Sequence, residues 1–180
     1  MLRLTIPDKE YFDEKTETFS YKPGRTIQLE HSLISISKWE SKWHKPFLSN
    51  AEKTVEERLD YIRCMTITQN VPPDDYYSLG KRELDIVDEY VNDPMTATTF
   101  GGNDKKKPNN KPVTSEVIYY WMTVYGIPFD CEKWNLNRLM TLIRVCDDKQ
   151  SPKRKKSKNE IINDYRALNE ARRKKYNTRG

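Results

Sequence analysis

The sequence predicts an α+β fold that is predominantly α-helical, with an N-terminal β-hairpin followed by a helical bundle and a basic C-terminal helical arm. Three observations predict this fold. Short segments of alternating polarity come first, and apolar residues recur at helical spacing from Leu33 onward. Lys and Arg then replace apolar residues abruptly after Cys146. We therefore expect a mainly helical globular domain over 1–146, a basic linker over 147–158 and a basic amphipathic helix over 159–180.

The predicted hairpin occupies the N-terminal part of the chain. Residues 1–6 alternate weakly, and residues 25–30 alternate with Ile27 and Leu29 on one face. Between them, Lys22-Pro23-Gly24 has the composition of a turn. The sequence therefore predicts that the chain reverses across Pro23-Gly24.

Three helices are predicted after the hairpin. The first carries an apolar stripe that starts at Leu33 and ends before Lys45-Pro46. The second opens at Thr54, which has capping-box spacing to Glu57, and ends before the prolines at 72 and 73. The third covers 81–91 and ends at Asp93-Pro94.

The centre of the predicted core lies in two apolar helices near the end of the domain. A polar loop over 95–112, flanked by short strands at 96–100 and 111–113, precedes them. The first helix covers 115–125, and Gly126 suits its C-terminal cap. The second covers 130–146, with Asp130 as its N-cap. We expect these two helices to pack together as an αα-hairpin.

The basic arm carries all of the chain's excess positive charge. Residues 147–180 contain twelve Lys or Arg against five Asp or Glu, a net charge of +7, whereas the whole chain has +5. The remainder is therefore slightly acidic, which favours an electrostatic tether for an acidic protein surface, or a solvated tail, over a nucleic-acid-binding fold. The arm's composition argues against nucleic acid as a partner, because within the arm only Tyr165 and Tyr176 could stack on bases.

The sequence gives no support to catalysis, metal binding or membrane insertion. No apolar run approaches the roughly 18–20 residues that span a bilayer, and the N-terminus lacks the features of a signal peptide. His31, Ser32 and Ser35 are close in sequence, but no third orienting group can be assigned to them. The three cysteines form neither a disulfide framework nor a zinc spacing with His. We expect an intracellular protein without catalytic residues, metal or cofactor.

The candidate functional residues are therefore those that could bind a protein partner. Trp39 and Trp43 are core residues by default, but their helix could instead expose one ring in a groove that holds a partner. In the arm, an apolar stripe and two basic clusters are the candidates. The predicted partner-binding set is Trp39, Trp43, Ile161, Tyr165, Leu168, Lys153, Arg154, Lys155, Lys156, Arg172, Arg173, Lys174 and Lys175.

Four stretches of the chain resemble a family of tail assembly chaperones and tail-region proteins of tailed bacteriophages. They are LEHSLISISKWESKWHKPF (29–47), EERLDYIRCMTITQNV (56–71), TSEVIYYWM with IPFDCEKWNLNRLMTLIRVC (within 114–146) and NEIINDYRALNEARRKKYNTRG (159–180). The resemblance implies a non-enzymatic chaperone that binds the tape-measure protein, a long helical rod rich in apolar residues, and/or tail-tube subunits. It would act in the host cytoplasm during assembly, with self-association left open.

A second function suits the same sequence. A hairpin and a basic arm would also serve a small structural component of the virion, such as a tail, baseplate hub or connector protein. Such a protein would dock through the hairpin and the arm, and it would remain in the mature particle.

Overall fold

The computed structural model describes residues 1–13, 17–100, 112–150 and 158–176. The chain forms two compact units, Met1–Asp147 and Asp148–Gly180. The fold is α+β and mostly helical, with the strands at the N-terminus and the helices after them, as the sequence predicts. The chain's three cysteines are free thiols, with Cys131 buried and the other two partly buried.

The N-terminal strands form one long antiparallel ribbon in two halves. In the proximal half, β1 (Leu2–Ile6) pairs with β4 (Arg25–Leu29). In the distal half, β2 (Lys9–Asp13) pairs with β3 (Thr18–Lys22). Each strand has two residues between the halves, so the register and the alternation of faces continue from one half into the other.

The predicted reversal across Pro23-Gly24 is wrong, although the N-terminal hairpin is confirmed. The strands on either side of this dipeptide do not pair with each other, and the chain reverses between Asp13 and Thr18. Pro23 and Gly24 instead lie at a kink within one arm of the hairpin, opposite Asp8 and Pro7. A Cβ on Gly24 would lie 2.6 Å from the Ile6 carbonyl oxygen and 2.8 Å from the Asp8 amide nitrogen. The kink therefore needs glycine because the two backbones approach so closely.

A buried carboxylate holds this kink against the helical body. Asp75 lies in the short helix α3 (Pro73–Tyr76), which the sequence analysis did not predict, and it is 2% exposed. Its Oδ1 is 2.5 Å from Lys22 Nζ, and its Oδ2 is 3.2 Å from Arg25 Nε. Because these cations flank Pro23-Gly24, one buried anion fixes the strands before and after the kink.

Four helices of the body form where the sequence predicts them. They are α1 (Leu33–Trp43), α2 (Val55–Met65), α4 (Lys81–Asn92) and α5 (Ser115–Tyr125). The capping box of α2 is present: the Glu57 amide donates to Thr54 Oγ1 at 3.2 Å, and the Thr54 amide donates to Glu57 Oε2 at 2.8 Å. Gly126 ends α5 in the left-handed conformation, as expected of its C-terminal cap.

The last predicted helix of the body is interrupted. A 3-10 helix covers Phe129–Lys133, and α6 begins only at Leu136 and continues to Gln150. The cap of α6 is not Asp130 but Asn135, whose Oδ1 accepts from the Asn137 amide at 3.0 Å. At its other end, α6 includes four residues that the sequence analysis assigned to the linker.

The two short strands predicted beside the polar loop are also wrong where the structure describes them. Residues 96–100 and 112–113 do not form β-strands. Instead, the Phe100 ring lies 3.9 Å from the guanidinium carbon of Arg144, which attaches this segment to α6. The central part of the predicted loop, 101–111, lies outside the described residues.

The core is centred on α1 and not on the predicted αα-hairpin. Helix α1 packs against α2, α5 and the 3-10 helix, whereas α5 makes its main helix contact with α1. The buried Glu40 of α1 accepts from the Phe47 amide and from the Ser115 amide, each at 2.8 Å. Ser115 begins α5, so Glu40 satisfies a free amide at its N-terminus and joins the two helices.

The second unit contains the described helix α7 (Lys158–Tyr176), which begins one residue before the predicted start at 159. Its side chains at 162, 163 and 165–176 are exposed. Residues 151–157 and 177–180 lie outside the described part of the chain.

Candidate binding surfaces

The two tryptophans of α1 lie against α2 and not in an open groove. Trp39 is 1% exposed, and its indole Nε1 donates to the Glu57 carbonyl oxygen at 2.9 Å. Trp43 is partly buried, and its Nε1 donates to Asp60 Oδ2 at 2.9 Å. Both indole N–H groups therefore have partners on α2, as large buried aromatic residues require.

Two carboxylates of α2 fix this packing. Lys45 Nζ lies 2.6 Å from Glu57 Oε1, and this hydrogen bond lowers the pKa of Glu57, with the Thr54 amide adding to the effect. Burial opposes ionisation of Asp60, but hydrogen bonds from Lys42 and Trp43 outweigh it and lower the pKa of Asp60. Asp60 is thus a charged partner of α1, and Glu57 of the segment that follows α1, at neutral pH.

Trp39 is therefore buried in the described structure, and its contact with a partner stays a prediction. The sequence could not separate its two roles because a buried ring and an exposed ring produce the same helical spacing. Trp43 has one face near the Lys42 ammonium, 5.2 Å from its centroid, and it is only partly buried. Whether Trp43 contacts a partner stays a prediction.

An apolar groove, which the sequence analysis missed, lies between α2 and α4. It has a volume of about 640 Å³, within the range of roughly 300–1,000 Å³ that is usual for ligand pockets. Its floor consists of apolar and aromatic side chains from α2, α4 and the loop after α1: Phe47, Leu48, Tyr61, Ile62, Leu84, Val87 and Val91. Leu48 is 38% exposed, so part of this apolar surface faces solvent.

The polar side chains of the groove line its rim and are mainly paired. Arg58 of α2 forms an ion pair with Asp88 of α4. Lys53 Nζ lies 4.5 Å from the centroid of the Phe47 ring and 5.9 Å from that of Trp39. Burial lowers the pKa of Lys53, which also reports an apolar setting. The groove thus offers apolar contact, with charged side chains of both signs, Glu52 among them, in its lining.

Such a groove can hold the apolar face of a helix. Its walls are two helices, its floor is apolar, and its charges lie at the edges, as in helix-in-groove recognition. A helix would cover Leu48 and the partly buried faces of Leu84 and Val91. The hydrophobic effect would supply the affinity, and the rim charges would select orientation.

The distal half of the ribbon is a second exposed apolar surface. Phe12 and Phe19 are opposite each other, with their ring centroids 4.9 Å apart. They are 52% and 75% exposed, and Tyr21 on the same face is 63% exposed. In the sequence, the aromatic residues of 11–21 indicated this surface. The incorrectly predicted turn at Pro23-Gly24 hid the fact that the rings of Phe12 and Phe19 pair with each other.

The basic arm carries most of the predicted partner-binding residues. Tyr165 and Leu168 are exposed on α7, 63% and 47% respectively. The four basic residues near its end, Arg172, Arg173, Lys174 and Lys175, are exposed too. Ile161 belongs to α7, but its side chain lies outside the described part of the structure, as do Lys153, Arg154, Lys155 and Lys156.

Titratable groups buried in the body act in packing. His31 is 2% exposed, and its Nδ1 lies 2.5 Å from the Tyr61 hydroxyl oxygen. Tyr90 donates to Glu30 Oε1 at 2.7 Å, and burial and this carboxylate raise the pKa of Tyr90 to about 12. Within 1–13, 17–100, 112–150 and 158–176, no three His, Cys, Asp or Glu residues are grouped as metal ligands.

Comparison with models of protein families, with curated proteins and with solved structures finds no match to this chain. Among the parts of the chain that the structure describes, no helix combines the length and the apolar character needed to span a membrane.

Proposed function

We propose that this protein is a non-enzymatic tail assembly chaperone of a tailed bacteriophage. It binds an apolar helical segment of the tape-measure protein, and/or tail-tube subunits, in the host cytoplasm before the tail is built. The observation that carries the proposal is the apolar groove between α2 and α4, with Leu48 exposed at its floor. The resemblance of the four stretches to phage tail assembly chaperones supports the same function.

The groove explains how such a chaperone would keep a helical rod in solution. A tape-measure helix exposes apolar residues that would otherwise associate with other copies. Covering one apolar side chain contributes roughly 1.5–3 kcal/mol, and several together give micromolar binding once the entropy of association is subtracted. Binding of this strength can be reversed when tube subunits compete for the same helix.

Co-expression with the tape-measure protein tests this proposal. The full chain should keep that protein soluble and co-purify with it. Leu48→Asp should weaken binding at least about tenfold, since a charge in an apolar contact loses the burial energy of the leucine. Leu84→Ser, a milder change on the other wall, should weaken it in the same direction.

The matched control is Ile86→Asp. Ile86 is 37% exposed on α4 and is not part of the groove, whereas Leu48 is 38% exposed within it. The control should bind like the wild-type protein, and both Leu48→Asp and Ile86→Asp should keep its thermal midpoint. Equal binding by Leu48→Asp, or equal loss in Ile86→Asp, would refute the groove as the binding site.

The exposed aromatic rings of the distal ribbon favour a second candidate, a structural component of the virion. Phe12 and Phe19 could insert between neighbouring subunits of a tail or connector. The two candidates differ in whether the protein stays in the finished particle.

A further inference from the structure

The inner face of the ribbon is the face that carries Leu4 and Ile27 in the proximal half, where they are 2% and 0% exposed. Because the register continues through the kink, strand alternation places Phe12, Phe19 and Tyr21 on this same face beyond it. There, however, the body contacts the opposite face, since Lys22 pairs with Asp75 of α3. The inner face is therefore apolar and aromatic in composition but exposed in the distal half.

This distal face is held in a fixed direction. Gly24 allows the two backbones to touch at the kink, and Asp75 binds Lys22 and Arg25 on either side of it. Within the distal half, the Tyr21 hydroxyl donates to Asp8 Oδ2 at 3.1 Å. A face that is ordered before binding loses little conformational entropy on contact with a partner.

The distal face has an apolar end and an acidic end. The tilted pair of Phe12 and Phe19 rings lies toward the tip. Glu10 is opposite Tyr21 on the same face, and Asp8 is next to it at the kink. A fitting partner would present an apolar patch followed by a cation, with about 7 Å between Phe12 and Glu10 by the rise of a strand.

Helix α7 has this arrangement. Tyr165 and Leu168 share a helical face, and Arg172 follows one turn later on the same face. The rise from Leu168 to Arg172 is about 6 Å along a helix, close to the spacing between Phe12 and Glu10 on the ribbon. Its net charge is positive, whereas Asp8 and Glu10 are negative, so the two surfaces are complementary in both polarity and charge.

We propose that α7 of a second copy of this chain docks on the inner face of the distal ribbon. Tyr165 and Leu168 lie on Phe12 and Phe19, and Arg172 lies at Glu10. Each copy offers both surfaces, so reciprocal docking closes a dimer, and head-to-tail docking closes a ring. This self-association is independent of the α2–α4 groove, so the groove variants leave it unchanged.

Mixing two complementary variants tests the proposal by light scattering on the full chain. The wild-type protein should show a mass above the 21.4 kDa of one chain. A ribbon variant, Phe12→Ser with Phe19→Ser, and an arm variant, Tyr165→Ser with Leu168→Ser, should each be monomeric. Their mixture should form a one-to-one complex, because one supplies an intact arm and the other an intact ribbon.

Other modes of association give different results. Pairing of ribbon with ribbon would leave the arm variant associated, and pairing of arm with arm would leave the ribbon variant associated. Either result, or a wild-type protein that is monomeric at every concentration, would overturn the proposal. The control Asn163→Ser with Ala167→Ser changes the opposite side of α7 and should associate like the wild-type protein.

A charge exchange tests the register of docking. Glu10→Arg and Arg172→Glu should each weaken association about tenfold, and the double variant should regain most of the loss, because it restores an opposite pair. Additive losses in the double variant would show that Arg172 does not lie at Glu10.

Discussion

His31 lies in the core between the ribbon and α1, with its ring near Tyr61 and Phe47. Burial is the main cause that lowers the pKa of His31 from 6.5 to about 4, and the nearby Glu30 only partly offsets it. Burial also raises the pKa of Tyr61 well above 10. The pair is therefore neutral in the folded protein, and the unfolded chain binds a proton more readily at this histidine.

The free energy of unfolding should consequently fall with pH in a defined window. Above pH 6.5, His31 is neutral in both the folded and the unfolded chain, so the free energy of unfolding is at its full value. As the pH falls from 6.5 toward about 4, the unfolded chain takes up the proton first, and the free energy of unfolding falls. Between pH 7 and pH 5 the loss from this one residue is about 2 kcal/mol. Denaturant titrations at the two pH values measure it.

Two histidine variants separate this effect from the rest of the protein. His31→Gln should lose most of the difference between pH 7 and pH 5, whereas the exposed His44→Gln should keep it. The pKa values of Glu57 and Asp60 are lowered, so these carboxylates reduce stability only at more acidic pH. If the free energy of unfolding of His31→Gln still differs between pH 7 and pH 5 as it does in the wild-type protein, another group titrates.

Buried carboxylates show where single residues could be predicted and where they could not. The capping box of Thr54 and Glu57 is a local pattern, so the sequence was sufficient to find it. Glu40 resembles any charged residue of a helix, but it bonds an amide 75 positions along the chain. Such a partner depends on the tertiary fold, and no spacing in the sequence indicates it.

Among the elements, helices were predicted better than the ribbon. Helical stripes and caps are local, so α5 has the predicted bounds and α7 begins within one residue of its predicted start. Pro-Gly is a turn signal, but it also suits a kink where two strands approach closely, so the prediction of a turn at Pro23-Gly24 was wrong. The break before α6 was missed because a 3-10 helix and an α-helix place apolar residues at similar spacing.

The kink makes Gly24 the most sensitive glycine whose surroundings are described. In Gly24→Ala, the new Cβ would meet backbone atoms that cannot move independently, so the free energy of unfolding should fall by about 1–3 kcal/mol. Gly80→Ala is the control, since its Cβ would meet only the flexible Glu83 carboxylate at 2.9 Å and should cost less than about 1 kcal/mol. Equal losses in denaturant titrations would argue against the kink.

At the scale of the whole molecule, the candidate site was only partly predictable. The sequence identified the arm by composition, and Tyr165 and Leu168 are exposed on α7 as expected. It could not find the groove, because Leu48, Tyr61 and Leu84 come from separate elements that meet only in the fold. Trp39 is buried for the same reason, since residues of α2 accept its indole hydrogen bond and pack over its ring only in the folded chain.

The central claim is that the protein assists assembly and then leaves. Quantitative mass spectrometry of purified mature phage particles, alongside a lysate of infected cells, tests this claim most directly. We predict that the protein is abundant in the lysate and missing from the particles, while the tape-measure and tail-tube proteins are present in both. Recovery of the protein from the particles at a fixed ratio to the tape-measure protein would contradict the chaperone and establish a structural component of the virion.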